Sequence, residues 1–316
     1  MSAELDTIQL RGEVPDELAG QRLDAALARM YPDYSRSRIR QWIEAGWVRL
    51  DDRIPRPRDA VRAGGQVEIR AQVEPASEDR PEDIPLSVVY EDDTLIVINK
   101  PPGLVVHPAA GNRAGTLVNA LLHHAPELAA LPRAGIVHRL DKETSGLLVV
   151  ARTLEAHTDL VRQLQARSVG RQYLALVHGV VVAGGTVDAP VGRHPVDRKR
   201  MAVVSGGKPA VTHYRVEARF PAHTLLRVSL ETGRTHQIRV HMAHIHHPIV
   251  GDPVYGGRLK LAAGLSEAAR DAIKGFRRQA LHAARLELVH PKTGKNVAWE
   301  APLPADVSRL LRSLEG

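Results

Sequence analysis

An acidic segment at residues 74–93 separates two parts of the chain that carry opposite net charge. The segment holds eight acidic residues against one arginine and also contains three prolines. Residues 1–93 carry 13 Lys and Arg against 20 Asp and Glu, whereas residues 94–316 carry 30 against 16. A polar segment that contains prolines is typical of a boundary between domains. We therefore predict two domains, a small acidic one followed by a larger basic one.

The charge pattern and the short apolar runs give the bounds of four predicted segments. We predict an N-terminal extension at residues 1–19, a small domain at 20–75, an acidic linker at 76–90 and a larger domain at 91–316. Hydrophobic residues make up 43% of the chain, which is enough for a core in each domain.

The composition also restricts the partners that the chain can have. A basic larger part favours a polyanion such as nucleic acid, although a basic protein without such a partner would look the same. No apolar run reaches the ~18 residues that cross a bilayer, and the acidic start lacks the apolar stretch of a secretion signal. The absence of cysteine excludes disulfides, thiolate zinc sites and cysteine nucleophiles. We expect a cytoplasmic protein with no membrane partner.

Two short amphipathic helices and two short strands are predicted in the small domain. One helix covers residues 20–30, and a second begins after Ser35, which we expect to cap it, and stops at Gly46. Strands are expected at 47–52 and 65–73, so the small domain is predicted to be α/β. The apolar residues that recur on the helix faces toward the core are Leu23, Leu27, Met30, Ile39, Trp42 and Ile43.

Arginines are concentrated in the second predicted helix and the segment after it. Between residues 36 and 58 seven arginines stand against three acidic residues. The guanidinium group matches the geometry of phosphate oxygens, so Arg36, Arg38 and Arg40 are predicted to contact a nucleic-acid backbone. The alternative is a solvated helix face without a partner.

Strands and helices of the larger domain are mixed without a regular βαβ rhythm, which favours the α+β class over a doubly wound sheet. An apolar strand at Ile136 and Val137 is expected to lead into His138-Arg139-Leu140-Asp141, and an apolar strand at residues 147–151 follows. Asp141 lies between two cations in the sequence, so its carboxylate stays ionised at neutral pH. That state suits a nucleophile or a base, while a structural Asp that caps a turn is the alternative.

Several segments of the chain resemble, in order, the conserved blocks of bacterial pseudouridine synthases that modify large-subunit ribosomal RNA. The segment before residue 54 resembles a small RNA-binding domain first seen in a ribosomal protein. The matching segments are RLDAALARMYPDYSRSRIRQWIEAGWVRLDDR (22–53), YEDDTLIVINKPPGLVVHP (90–108), HRLDKETSGLLVVA (138–151), RQYLALVHG (171–179) and LETGRTHQIRVHMAHIHHPIVGDPVYGG (230–257). Together they cover most of the chain.

The resemblance implies a fold, a reaction and a set of reacting residues. The fold would be a mixed, largely antiparallel central sheet with flanking helices. The reaction detaches uracil from the ribose and rejoins it through carbon 5, with Asp141 either attacking carbon 1′ or removing the 2′ proton. Arg239 would pair with Asp141, with Arg234 as the alternative partner. Tyr173 would stack near the uracil and help to remove the carbon 5 proton, and Ile238 would pack under the base.

The same resemblance implies how RNA is bound. A uracil stacked in a helix must be flipped out before it can react, and Arg139 would fill the space that it leaves. Lys142, Arg171 and Arg234 would contact the RNA. The implied partner is large-subunit ribosomal RNA or a pre-ribosomal particle, and a monomer is expected. No cofactor or metal is implied, and the phosphate-loop and dinucleotide motifs are absent from the sequence.

Two alternative functions remain open, and one of them depends on five histidines between residues 236 and 247. They lie at positions 236, 241, 244, 246 and 247, and none of them forms an HExxH motif. They bond locally, face RNA or, in the least favoured interpretation, hold zinc in a metal-dependent hydrolase. A ribosome-assembly factor that binds RNA without turnover is the other alternative to an RNA-modifying enzyme.

Overall fold

The structure, a computed structural model, describes residues 7–32, 34, 36–72, 80–108, 112–259, 261–262 and 264–315. The chain divides into two compact units, Met1–Ala76 and Ser77–Gly316. Among the described residues, no helix is both long and apolar enough to cross a membrane.

The small unit combines an antiparallel sheet of three strands with two helices. The strands β1 (Thr7–Glu13), β2 (Val48–Leu50) and β3 (Gln66–Gln72) lie in the order β1-β3-β2. The helices are α1 (Leu23–Met30) and α2 (Arg36–Glu44). The predicted apolar faces of both helices are confirmed: Leu23, Leu27, Ile39, Trp42 and Ile43 are buried in one core, and Met30 packs against it.

The N-terminal part of the small unit differs from the prediction. Residues 1–19 were predicted as an extension, but β1 pairs along its whole length with β3. Val14 and Leu18 are buried in the same core as the helices. Only Ile8 and Leu10 alternate with polar residues in this edge strand, so its local pattern is weak. Ser35, the predicted cap of α2, lies outside the described residues.

The larger unit contains one extended sheet, a small two-stranded sheet and five α-helices in its described residues. The strands of both sheets are β4 (Val88–Glu91), β5 (Leu95–Lys100), β6 (Ser145–Ala151), β7 (Gly170–His178), β8 (Gly185–Asp188), β9 (Val191–Arg193), β10 (Met201–Val203), β11 (Val211–Arg219), β12 (His223–Leu230), β13 (Leu281–Val289) and β14 (Asn296–Glu300). The helices are α3 (Leu117–His124), α4 (Leu154–Gln165), α5 (Gln237–His244), α6 (Glu267–Gly275) and α7 (Ala305–Glu315).

The strands of the extended sheet lie in the order β4-β5-β6-β13-β7-β12-β11-β8, and β14 pairs with β13. Only the β6–β13 pair is parallel, so the predicted mixed and largely antiparallel α+β fold is confirmed. Alternate residues of β5 and β6 face two separate cores. One core holds Ile96 and Leu148 with Leu121 of α3, and the other holds Val97 with Leu160 of α4.

Two short segments differ from the sequence prediction. Residues 88–90 were assigned to the acidic linker, but Val88–Glu91 forms an edge strand, and the Tyr90 hydroxyl donates to Asp92 Oδ2 at 2.8 Å. The neighbouring acidic residues hid this strand in the composition. A strand was expected at Ile136 and Val137, but Ile136 makes only an isolated bridge to Val150, directly after a 3-10 helix at Pro132–Gly135.

Candidate active site

A cavity of about 840 Å³ opens where the loop before β6, strand β7 and the start of α5 meet. Its volume falls within the range of small-molecule sites in proteins. Seven side chains predicted from the sequence for the reaction, the base or the RNA line it: Arg139, Asp141, Arg171, Tyr173, Arg234, Ile238 and Arg239. Lys142 does not line the cavity, and its side chain is exposed beside the loop.

The loop that carries Asp141 is held by a buried lysine. Lys100, at the end of β5, is 1% exposed, and its Nζ donates to the carbonyl oxygens of Pro101, Leu104 and Lys142 at 2.7–3.0 Å. Burial lowers the pKa of Lys100 to about 8. Gly146 follows in a left-handed conformation, φ 113°, and a Cβ there would collide with the backbone of Ala283 in β13. The loop backbone is therefore fixed on both sides of Asp141.

Asp141, Arg239 and Asp252 form one continuous ion pair network. Arg239 Nη1 donates to Asp141 Oδ2 at 3.0 Å, while its Nε and Nη2 donate to Asp252 at 2.7 and 2.9 Å. Arg234 instead donates from Nε to the Pro209 carbonyl oxygen at 3.1 Å. The structure therefore resolves the two alternative partners of Asp141 in favour of Arg239.

Asp252 has a role that the sequence alone did not reveal. Its side chain is fully buried, and its Oδ1 also accepts from the backbone N–H groups of Val254 and Tyr255. Burial alone would raise the pKa of Asp252, but Arg239 and these N–H groups lower it. Burial would likewise lower the pKa of Arg239, but both carboxylates raise it. Asp252 thus stays ionised and orients the guanidinium that faces Asp141.

Tyr173 and Ile238 form the apolar walls beside Asp141. Both are nearly buried, at 6% and 4% exposure, and both line the cavity. The Tyr173 hydroxyl has no hydrogen-bond partner among the described residues. Burial raises the pKa of Tyr173; the positive charge of Arg171 opposes this, and the negative charge of Asp141 acts in the same direction as burial. The phenol is therefore held in its protonated form.

Arg139 and Arg171 give the cavity positive charge that no carboxylate balances. Neither forms an ion pair or a hydrogen bond with the part of the chain that the structure describes. Arg171 is 9% exposed, and its Nε is buried without a partner. A Cβ on Gly233 would lie 2.7 Å from Arg171 Nη1, so the glycine leaves room for this guanidinium. A buried cation without a partner is costly, which indicates a site for an anion.

His236 lies beside Asp141 at the N-cap of α5. Its Nε2 is 3.8 Å from Asp141 Oδ1, and its Nδ1 is 2.8 Å from the Tyr255 hydroxyl. The sequence placed His236 in the histidine cluster without a role, and Tyr255 was not singled out. The backbone at position 236 has an αL conformation, φ 57° and ψ 19°, which turns the ring toward the cavity and so permits the contacts with Asp141 and Tyr255.

The other four histidines of the cluster point to different places. His241 is buried and bonds to Thr212 and to the Ala189 carbonyl oxygen, and His247 donates from Nδ1 to the His178 carbonyl oxygen. His244 and His246 are exposed. Within the described residues, no three His, Cys, Asp or Glu side chains are placed to hold a metal ion.

Two of the three arginines predicted to bind RNA in the small unit form ion pairs that the structure shows. Arg36 Nη2 bonds to both carboxylate oxygens of Asp24, which is 3% exposed. Burial alone would raise the pKa of Asp24, but Arg36 and Arg22 lower it. Arg40 pairs with Glu44 on the exposed surface of α2. Arg36 therefore has a structural task in the fold of this unit.

Two family models match the chain in the expected order. The model of the S4 domain matches residues 21–67, and the model of RNA pseudouridylate synthase matches residues 94–244. The chain is 58% identical to ribosomal large subunit pseudouridine synthase D of Pseudomonas aeruginosa, with 98% of this chain and 97% of that protein covered. It is 55% identical to the protein of the same name from Escherichia coli, with 96% and 94% covered.

Solved structures are similar as well. Human RNA pseudouridylate synthase domain containing 4 is 26% identical at a TM-score of 0.58, and covers 72% of this chain and 93% of its own. Human RNA pseudouridylate synthase domain containing 1 is 26% identical at a TM-score of 0.55, and covers 75% and 97%. Because the two relatives from Pseudomonas aeruginosa and Escherichia coli match over nearly its full length, the chain belongs to the RNA pseudouridylate synthase family and is a pseudouridine synthase with an N-terminal S4 domain.

Proposed function

We propose that the protein isomerises specific uridines of large-subunit ribosomal RNA to pseudouridine, with Asp141 as the reacting carboxylate. The carboxylate of Asp141 carries this proposal, because it lies in a cavity lined by arginines and is oriented by Arg239. The names of the relatives supply the RNA class. We also propose that the protein acts as a monomer in the cytoplasm, where ribosomal RNA is made in bacteria.

The target uridine must leave its base stack to reach this cavity. Arg139 is exposed at the mouth, and its guanidinium is available to occupy the space that the base leaves. Arg171, buried without a carboxylate partner, would bind a phosphate of the extruded nucleotide. Lys142 and Arg234 would contact the backbone farther out. These contacts use phosphate and shape, which suits a protein with only 3% aromatic residues.

Asp141 would act on the ribose while the walls hold the base. Attack at carbon 1′ and removal of the 2′ proton both need a carboxylate, and Arg239 orients that of Asp141 through the hydrogen bond from Nη1 to Oδ2. Ile238 would pack under the uracil and Tyr173 beside it. Because the pKa of Tyr173 is raised, removing the carbon 5 proton as a phenolate would be costly. We therefore assign Tyr173 to packing and hydrogen bonding in the cavity.

The test of this function is a map of pseudouridines in ribosomal RNA from cells with and without this gene. We expect one or a few nearby sites in the large-subunit RNA to lose the modification and to regain it when the gene is restored. An unchanged large-subunit map would contradict the proposed substrate. Restoration by the Asp141→Asn variant would contradict the role proposed for Asp141.

The S4 domain is proposed to anchor the enzyme on RNA through α2. The binding constant K falls as salt concentration rises. Arg38→Gln combined with Arg40→Gln should make the negative slope of log K against log salt concentration less steep, by about one unit for each phosphate that is no longer bound. Arg36 stays in place in this variant because it neutralises the buried Asp24. Filter binding to a ribosomal RNA fragment at several salt concentrations measures the slope.

The matched control replaces two arginines on the sheet of the same unit. Arg11→Gln with Arg70→Gln removes the same charge from the sheet, where both arginines pair with Glu68, and leaves α2 unchanged. We expect this control to keep a slope close to that of the unmodified protein. Equal slopes for both double variants would show that α2 is not the RNA-binding face.

A further inference from the structure

His236 has a backbone conformation that residues other than glycine rarely adopt. Its φ of 57° lies in the left-handed region, which costs free energy for a residue with a Cβ. Such strain persists only where the surrounding structure enforces it. Here the consequence is that the ring faces Asp141 across the cavity, with Nε2 3.8 Å from Oδ1.

The Tyr255 hydroxyl determines which ring nitrogen carries the proton. This hydroxyl accepts a hydrogen bond from the Met201 N–H at 2.9 Å. In the described part of the chain, its only other hydrogen-bond partner is His236 Nδ1. The hydroxyl proton is therefore donated to Nδ1, which acts as the acceptor. Burial lowers the pKa of His236, although Asp141 opposes this, so the ring is neutral. The neutral ring then carries its N–H at Nε2, toward the cavity.

The gap between His236 and Asp141 fits a hydroxyl group. A separation of 3.8 Å is too long for a direct hydrogen bond, but one oxygen can lie about 2.8 Å from both atoms. Nε2 offers a proton and the carboxylate Oδ1 offers only lone pairs, so the oxygen must accept one bond and donate the other. A hydroxyl does both. The other oxygen, Oδ2, is already bound by Arg239.

We propose that His236 and Asp141 together bind the 2′-hydroxyl of the target ribose, with His236 as the donor and Asp141 as the acceptor. This inference rests on the proposed function, which brings Asp141 to carbon 1′ or carbon 2′ of that sugar. Within an RNA strand the 3′ and 5′ oxygens are esterified, so the 2′-hydroxyl is the only free hydroxyl of the ribose. The pair would let the enzyme distinguish RNA from DNA at the target nucleotide.

The experiment compares two RNA stem-loops that differ in one atom. Both carry a uridine that the unmodified enzyme isomerises, and in the second stem-loop that nucleotide alone is 2′-deoxy. The dissociation constant is measured for each, and their ratio reports recognition of the hydroxyl. We expect the unmodified enzyme to bind the deoxy RNA about tenfold more weakly, because the partly buried donor of His236 and acceptor of Asp141 lose their partner. Equal binding of the two RNAs by the unmodified enzyme would overturn the proposal.

Variants then assign the ratio to His236. His236→Phe keeps a ring but removes the donor, so the ratio should fall to about threefold or less. His236→Gln restores an N–H donor and should recover a larger ratio than His236→Phe. His244→Phe is the control, since His244 is exposed on the same helix and does not line the cavity. A ratio in His236→Phe equal to that of the unmodified enzyme would also overturn the proposal.

Failure of this inference is distinct from failure of the proposed function. Isomerisation of the all-ribose stem-loop by the unmodified enzyme tests the function. The ratio of dissociation constants tests only the recognition of the hydroxyl. Urea unfolding of each variant shows whether it is folded, and the comparison of the two RNAs on the unmodified enzyme needs no variant.

Discussion

Asp141→Asn is expected to reduce uridine isomerisation by more than about 1,000-fold while the affinity for RNA stays within about threefold. Asparagine has the shape of aspartate, so the loop and the walls of the cavity keep their geometry. Its neutral amide, however, can neither attack carbon 1′ nor accept the 2′ proton. Single-turnover kinetics on a target stem-loop and a gel-shift titration of the same RNA measure the two quantities.

The control for this variant removes a carboxylate charge far from the cavity. Asp271→Asn acts on the exposed surface of α6, where Asp271 pairs with Lys274. We expect its turnover to match that of the unmodified enzyme. Turnover by Asp141→Asn at more than a tenth of the unmodified rate would contradict the role given to Asp141.

Arg239→Met is expected to have the second largest effect, on stability as well as on turnover. It leaves Asp252 fully buried without its cation, and removal of one partner of a buried ion pair costs about 3–5 kcal/mol of the free energy of unfolding. Turnover should fall at least about 100-fold, because Asp141 loses the guanidinium that orients it. Urea unfolding and single-turnover kinetics give the two values.

A second substitution separates these two effects. Combining Arg239→Met with Asp252→Asn removes the unpaired charge, while the amide oxygen can still accept from the N–H groups of Val254 and Tyr255. At least about half of the lost stability should return, but turnover should stay low because the guanidinium beside Asp141 is still missing. Asp252→Asn alone keeps that guanidinium and should retain more activity. Stability that does not recover in the double variant would show that the unpaired carboxylate is not the cause of the loss.

Local sequence patterns predicted much of the fold. The apolar residues at helical spacing in α1 and α2 identified the core of the small unit, and the stretch at 147–151 identified the buried strand beside the active site. These patterns succeed because they depend on backbone geometry over a few residues. The strands β1 and β4 were missed for the same reason. β1 has a weak alternating pattern and pairs with a strand distant in the sequence, and β4 has only four residues and is followed by acidic residues.

The same distinction between local patterns and long-range contacts applies to the active site. Sequence blocks that resemble a family were sufficient to nominate Asp141, Tyr173 and Arg239, because each lies in a distinctive local motif. The contacts between them required the folded chain. Asp141 and Arg239 are 98 residues apart, and Arg234 was the less favoured alternative partner in the linear sequence.

The folded chain places α5 beside the loop before β6, so that Arg239 contacts Asp141, and the segment after α5 brings Asp252 to the same guanidinium. The positions of Tyr255 and Asp141 on either side of the His236 ring likewise appear only in the folded chain. Residue types and short spacings thus specify which chemistry is available to this chain. Long-range packing specifies which groups meet, because a contact between distant residues depends on every element that folds between them.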